Sequence, residues 1–268
     1  VGYYRRTYGN FTVTDNTLTG VGDYTQFNIT APTDSRLPDG GGYTVGGLYN
    51  LNPNKVGQVN NLFTLASNYG NYNETWNGVD VNLSLRLGKG AILQGGTSTG
   101  RTSLDVCDLR AQLPELTVTA PYLVGPTSPD CNIPGQFQTQ VKFLGTYAVP
   151  KVDVQIAATY RSLPGVNIVS NYVATNAEVI PSLGRPLSGG AANVTVNLVE
   201  PGMLFTEQTN LLDLRFSKLF RFGAYRTSVN LDLANAFNSS GITAVNNNYA
   251  AWQVPTGIHQ ARIAKISA

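Results

Sequence analysis

The hydrophobic and polar positions of this chain alternate with a period of two over several long segments. From Val79 to Leu87 every odd position is apolar, and the even positions are Asp, Asn, Ser and Arg. Since successive side chains of a strand point to opposite faces of a sheet, this pattern predicts a strand with one apolar and one polar face. The same alternation runs through residues 137–149, 152–161, 212–222 and 225–235.

These alternating segments are long for β-strands. Each has about 9 to 13 residues, the length that a tilted strand needs to cross the apolar core of a bilayer. Strands of soluble domains are about half as long on average. We therefore expect membrane-spanning strands, with a soluble β-sandwich as the alternative, because alternation is equally typical of sandwich strands.

The connections between the segments are alternately short and long. Tight turns are predicted at Gly88–Gly90, Pro150–Lys151 and Gly223–Ala224. Between them lie long polar segments rich in Gly and Pro, at residues 17–74, 102–135, 163–208 and 237–256.

Such parity is typical of an outer-membrane barrel, which has short periplasmic turns and long extracellular loops. The sequence thus predicts an all-β fold, a portion of an antiparallel transmembrane β-barrel with long extracellular loops and tight periplasmic turns. About eight strands are expected, near residues 1–16, 75–88, 91–101, 136–149, 152–162, 209–222, 225–236 and 257–267.

Composition agrees with one β-rich unit. Of the 268 residues, 42% are hydrophobic and 13% are charged, about half the charged share of an ordinary soluble domain. No linker-like stretch divides the chain, so residues 1–268 are expected to form a single barrel portion. The net charge of +2 and the lack of a basic run argue against a nucleic-acid partner. Because the sequence opens on Val1 without a signal peptide, we expect a mature product, a processed piece or part of a larger protein.

The two cysteines predict a disulfide rather than a metal site. Cys107 and Cys131 lie 24 residues apart in a Pro-rich segment, without the spacing of metal ligands. A bond between them would close a loop in an oxidising compartment.

Motifs for catalysis or cofactor binding are not found in the sequence. The segment Gly96–Gly100 matches a nucleophile elbow, but no helix is predicted after it and His259 has no evident acid partner. We therefore expect no enzyme activity, no cofactor and no metal site.

Several segments carry a family resemblance. The order of Leu212–Lys218 and Asn230–Asn238 resembles the C-terminal barrel portion of TonB-dependent receptors, of the acidobacterial type with a carboxypeptidase-regulatory-like domain at the N-terminus. Further segments look like the same group: Tyr8–Asn16, Gly46–Pro53, Ser182–Gly202, Asn247–Tyr249 and Trp252–Pro255.

The resemblance implies a 22-stranded outer-membrane barrel with a plug, which takes up a scarce nutrient with energy relayed by a TonB-type protein. Its partners would be outer-membrane lipid, the remainder of the barrel with its plug, and the TonB-type energy-transducing protein through an N-terminal part. The sequence departs from the family in two respects. Its 268 residues contain neither plug nor TonB box, and they end on Ile266–Ala268 rather than on an aromatic residue.

Two sets of side chains are candidates for function. Aromatic residues of the long loops are candidates for ligand contact, although packing of the loops on one another explains them as well: Tyr172, Tyr249 and Trp252. Polar residues of the strands are expected to face the lumen or the plug: Asp80, Arg86, Asp153, Arg161, Asp213, Arg215, Asn230 and Asp232.

Two alternatives to a receptor segment stay open. The chain could be a processed extracellular piece that self-assembles into a fibre or complex through open sheet edges. It could also be a small porin-like barrel of eight strands closed on themselves.

Overall fold

The computed structural model describes residues 1–88 and 90–268 of an all-β protein with a few short helices. The two α-helices are α1 (Cys107–Gln112) and α2 (Asn176–Leu183). The strands in chain order are β1 (Gly2–Tyr8), β2 (Thr12–Asn16), β3 (Tyr24–Thr30), β4 (Thr44–Leu51), β5 (Asn61–Leu65), β6 (Asn73–Leu87), β7 (Ala91–Asp105), β8 (Asn132–Ile133), β9 (Gln138–Val149), β10 (Val154–Leu163), β11 (Asn167–Ile168), β12 (Asn171–Thr175), β13 (Asn193–Asn197), β14 (Leu204–Phe205), β15 (Thr209–Phe222), β16 (Tyr225–Ala234), β17 (Ile242–Val245), β18 (Pro255–Ile258) and β19 (Ile263–Ser267).

Eight of these strands form one antiparallel sheet in the order β1-β6-β7-β9-β10-β15-β16-β19, and β8 adds a short pairing to β7. The number of strands confirms the prediction, but the predicted last strand near 257–267 is wrong before Ile263, because Pro255–Ile258 pairs with β17 outside the main sheet. The predicted first strand is wrong beyond Tyr8. The strand ends there, and the backbone at Asn10 adopts the left-handed conformation, with φ of +58°. The following β2 pairs with β5 outside the main sheet.

The sheet is open. In the part of the chain that the structure describes, β1 pairs only with β6 and β19 only with β16. These eight strands therefore do not form a small closed barrel. Across the same residues, neither helix has the length and hydropathy needed to span a membrane.

Short and long connections alternate as predicted. The hairpins β6–β7, β9–β10 and β15–β16 are tight, although Lys89 of the first predicted turn lies outside the described residues. The four other connections run through residues 9–72, 106–137, 164–208 and 235–262. Because neighbouring strands are antiparallel, all tight turns lie at one end of the sheet and all long connections at the other.

The β9–β10 turn requires one correction. Asp153 was predicted on a strand, but the turn takes four residues instead of two, and β10 begins only at Val154, which pairs with Val149. Lys151 and Asp153 adopt the left-handed conformation, with φ of +69° and +50°. Asp tolerates this conformation because its short polar side chain can bond locally.

One face of the sheet is apolar and exposed. The register places Leu83 beside Gly95, Tyr147 beside Ile156, and Phe216 between Ile156 and Leu231. The exposed fraction is 41% for Leu83 and 39% for Phe216. A large apolar surface of this kind is unusual on a soluble monomer and marks an interaction or membrane surface.

The long connections fold together into a packed head, defined as residues 9–72, 106–137, 164–208 and 235–262. It contains small two-stranded sheets, formed by β2 with β5, β3 with β4, β11 with β14, β12 with β13, and β17 with β18. Helix α2 shows why such segments order locally. Thr175 caps its N-terminus in a capping box with Glu178, and Gly184 ends it in the left-handed conformation.

Candidate functional site

The head has two hydrophobic cores, which we call the first and second core. The first core joins the first, third and fourth long connections. Its members include Phe27, Leu48, Val196 and Trp252. The second core joins the first two connections around Val13, Ala66, Leu104, Leu109 and Ile133. Because residues 9–72 contribute to both cores, this connection holds the two halves of the head together.

The predicted disulfide is present. Cys107 at the start of α1 is bonded to Cys131, which directly precedes β8. The backbone amide of Val106 also donates to the carbonyl oxygen of Cys131 over 2.9 Å. Both links fix α1 against the segment that carries Asp130.

A cleft of about 840 Å³ lies beside the first core, which contributes Val45, Leu198 and Val199 to its lining. Its walls come from three of the four long connections, so only the folded head creates it. The volume lies within the range of pockets that bind small organic molecules. Its polar and apolar lining is represented by Tyr43, Val45, Arg110, Asp130, Leu198 and Glu200.

Arg110 is the buried cation of this cleft, with only 8% of its surface exposed. Its Nη2 donates to the carbonyl oxygens of Gly47 over 2.5 Å and of Gly125 over 3.4 Å. Gly47 presents its carbonyl from a turn with φ of +70°, a conformation that favours glycine. The guanidinium also lies 4.9 Å from the ring centre of Tyr49. Its Nε is buried and has no hydrogen-bond partner among the described residues.

Two carboxylates share the cleft with Arg110. Burial raises the pKa of Asp130, and the charge of Arg110 opposes this change only in part. Burial also raises the pKa of Glu200, and the negative charge of Asp130 adds to that effect. Burial, followed by the charges of Asp130 and Asp39, raises the pKa of Tyr43. With Asp39 at the rim, three carboxyl groups and one guanidinium line the cleft.

Replacing Asp130 by Asn should stabilise the head at neutral pH. A carboxyl whose pKa is raised by folding favours the folded state below its unfolded pKa of 3.8, and this contribution is lost as the pH rises through the folded pKa. At pH 7 we expect the Asp130→Asn variant to melt about 2 to 4 °C higher, the shift that about 1 kcal/mol produces in a chain of this size.

Thermal unfolding followed by circular dichroism at pH 7 and pH 3 measures this difference. The exposed Glu207→Gln variant is the matched control and should not change the melting temperature. A lower melting temperature for Asp130→Asn at pH 7 would contradict the burial argument.

The three predicted aromatic residues meet in the first core. The rings of Tyr172 and Tyr249 are 5.2 Å apart at their centres, and those of Tyr249 and Trp252 are 6.3 Å apart. Trp252 is 2% exposed, and its Nε1 donates to the carbonyl oxygen of Val169 over 2.8 Å. Its role in this structure is packing, whereas Tyr172 and Tyr249 are half-buried.

Charged side chains surround these rings. The hydroxyl of Tyr249 donates to Asp34 over 2.9 Å, and the guanidinium of Arg36 lies 5.7 Å from the ring centre of Trp252. The hydrogen bond to Glu178, followed by burial, raises the pKa of Tyr172 to about 12. These partners satisfy the polar ends of the cluster within the head, and ligand contact by the aromatic residues stays a prediction.

The remaining strand candidates share the polar face of the sheet. By register and alternation, this face carries Asp80, Arg86, Arg161, Asp213, Arg215, Asn230 and Asp232. Several of them pair across neighbouring strands. Arg161 bonds Asp213 over 2.9 Å between β10 and β15, and Arg215 pairs with Asp232 between β15 and β16.

Asp153 takes part in a third ion pair from its turn, where it accepts from Arg221 over 2.8 Å. Asp80, unlike the carboxylates of these ion pairs, has a buried Oδ1 without a hydrogen-bond partner in the described ranges. It lines a shallow depression of about 400 Å³ together with Lys142 and Gln140. The polar face is thus charged and internally paired, and its role as a lumen wall stays a prediction.

Sequence reasoning missed the residues of the cleft. Arg110 and Asp130 lie 20 residues apart in the second long connection, Glu200 lies in the third, and the three show no common spacing. The only available signal was the predicted disulfide, since Arg110 follows Cys107 by three residues and Asp130 directly precedes Cys131. Glu200 carried no signal.

Fold and site together define an all-β protein with an open antiparallel sheet, an apolar face, a polar face and a packed head. A comparison with protein-family models, with curated proteins and with solved structures returns no match.

Proposed function

We propose that this chain is a wall segment of an outer-membrane receptor or transporter of the TonB-dependent class. In this proposal the main sheet lies in the membrane, its six strands of 10 to 15 residues cross it, and the head is the external part that meets the ligand. The resemblance of Leu212–Lys218 and Asn230–Asn238 to receptor C-termini agrees with this class. Uptake of a scarce nutrient would then require the remainder of the barrel, a plug and a TonB-type protein.

The observation that carries the proposal is the exposed apolar face of the main sheet. Its side chains have no covering layer within the described chain, whereas the two cores lie in the head. Lipid is the covering that suits a broad apolar surface with an aromatic border. Tyr147, Phe222 and Tyr225 lie at the tight-turn end, where an interfacial girdle would be expected.

Lys218 fits the same interpretation. It interrupts the apolar series of β15, yet its ammonium group donates to the carbonyl oxygen of Val152 in the β9–β10 turn. A long side chain can cover an apolar surface while its charge reaches the polar rim. As in other outer-membrane barrels, the tight turns would face the periplasm and the head would face outward.

The polar face is suited to an aqueous interior. Its ion pairs, such as Arg161 with Asp213, would be costly against lipid and are stable against water or a plug. The free edges of β1 and β19 would pair with the remainder of the barrel, because unpaired backbone groups cannot be left in a bilayer.

The same open edges favour a second candidate, a processed extracellular piece that assembles edge to edge. β1 is an edge strand that pairs only with β6 among the described residues, and it presents exposed side chains such as Tyr3 and Tyr4. Edges of this kind pair readily with other chains. In that case the apolar face would be buried between chains instead of in lipid.

Extraction of the native protein separates the two candidates. Washed membranes are solubilised in a mild detergent, and the size of the species that contains this chain is determined. The receptor proposal predicts a detergent-dependent species much larger than the 28.7 kDa chain. A water-soluble species of that mass, or a filament that forms without detergent, would contradict it, and the filament would support edge-to-edge assembly.

A further inference from the structure

The cleft beside the first core is lined by charged, polar and apolar side chains, and this chemistry restricts what it can bind. This inference rests on the proposed receptor function, since it names the ligand class of the same external part.

The charge balance favours a cation. Asp130 and Glu200 are half-buried in the cleft, and Asp39 lies exposed at its rim. Arg110 is their only cationic neighbour among the described lining residues. The structure gives no ion pair between Arg110 and either buried carboxylate, whereas five other ion pairs are found in the described chain. A ligand cation would therefore add to the counter-charge that Arg110 alone gives these half-buried carboxylates.

Arg110 favours an oxygen on the same ligand. An arginine has five N–H donors, and most buried donors in proteins are bonded. Here the side chain is more than nine-tenths buried, Nη2 is bonded to backbone carbonyls, and Nε is closed off from the cleft, so only the remaining part of the guanidinium can face a ligand. A carbonyl or carboxylate oxygen placed against the guanidinium would satisfy this group.

Part of the cleft lining is apolar. Val45, Leu198 and Leu204 line the cleft, and the first two are almost fully buried. The volume of about 840 Å³ accommodates a molecule larger than a single amino acid. The ligand should therefore carry apolar groups between its charged ends.

We propose that the cleft binds a peptide-sized organic cation, with an ammonium or guanidinium group facing Asp130 and Glu200 and a carbonyl or carboxylate oxygen facing Arg110. A short peptide with basic and apolar side chains has all of these features. Binding should weaken with added salt, because attraction between charges is screened. Binding should also weaken at acid pH, because Asp130 and Glu200 become protonated while Arg110 stays charged. The other titratable groups that line the cleft are Asp39 and Tyr43.

Isothermal titration calorimetry on the detergent-solubilised protein tests this proposal with two tripeptides, Lys-Leu-Lys and Glu-Leu-Glu. We expect the basic peptide to bind and the acidic peptide of equal length to give no signal. In the Asp130→Asn/Glu200→Gln variant, affinity for the basic peptide should fall at least about tenfold, the loss expected for one charged hydrogen bond. The exposed Glu207→Gln variant is the matched control and should bind as the unaltered protein does.

Equal binding of both peptides, no binding of the basic peptide, or unchanged affinity of the double variant would overturn the ligand class. Folding of each variant is checked by its circular dichroism and melting temperature, so that lost binding is not mistaken for unfolding. A failure here leaves the extraction result unchanged, because extraction reports on the sheet and calorimetry on the head. The two proposals can therefore fail separately.

Discussion

A single arginine on the apolar face, in the Phe216→Arg variant, should destabilise the protein in a bilayer by about 2 to 4 kcal/mol. This is the cost of an arginine near the midplane on the lipid side of a membrane barrel. Phe216 lies near the middle of the exposed part of β15, between Ile156 of β10 and Leu231 of β16. The cost arises because the guanidinium would lose its hydration and find no partner among apolar neighbours.

The adjacent Ser217→Arg variant is the control for this experiment. Ser217 belongs to the same strand but lies on the polar face, opposite Asn230. Both variants are unfolded by denaturant in lipid vesicles, and their free energies of unfolding are compared with that of the unaltered protein. The proposal requires a large loss for Phe216→Arg and a small one for Ser217→Arg. Equal losses at the two positions would contradict a lipid-facing surface.

Removal of the largest fully buried side chain, in the Trp252→Ala variant, should cost about 3 to 5 kcal/mol. The indole fills the first core, is bonded to the carbonyl of Val169 and lies beside the ring of Tyr249. Truncation would leave a cavity and remove the partner of a backbone carbonyl. We expect the head to unfold at a lower denaturant concentration while the sheet keeps its strand signal.

The exposed Phe237→Ala variant controls for the loss of an aromatic ring. Phe237 is 55% exposed in the same long connection, so its truncation should change stability by less than about 0.5 kcal/mol. Far-ultraviolet circular dichroism and hydrogen exchange of the head amides measure both variants. A Trp252→Ala protein as stable as the Phe237→Ala protein would show that Trp252 is not a core residue, and its role as a ligand contact would gain support.

The main sheet was predictable because its signal is local. The alternation of Val79 to Leu87 depends only on the two faces of one strand, and β9, β10, β15 and β16 repeat it. Tight turns such as Gly223–Ala224 set the neighbours and fix the register between β15 and β16. The strand order then followed from the alternation of short and long connections.

The head was not predictable from such patterns. Its strands are short, and its cores join residues far apart in sequence, such as Phe27 and Trp252. The cleft depends on three connections meeting, so Arg110, Asp130 and Glu200 become neighbours only after folding. The strand ends near Asn10 and Asp153 were also missed. Each depends on the left-handed conformation of a single residue, which no pattern of several residues indicates.

Alternation of lipid contact along a strand tests the central claim most directly. Single cysteines are introduced at Leu83, Ser84, Phe216 and Ser217, which is feasible because Cys107 and Cys131 are bonded to each other. Each is spin-labelled in lipid vesicles, and collision of the label with oxygen and with a water-soluble nickel chelate is measured. We expect labels at positions 83 and 216 to collide mainly with oxygen, which concentrates in lipid, and labels at 84 and 217 mainly with the nickel chelate. Labels at all four positions that collide equally with the nickel chelate would contradict a membrane-facing sheet.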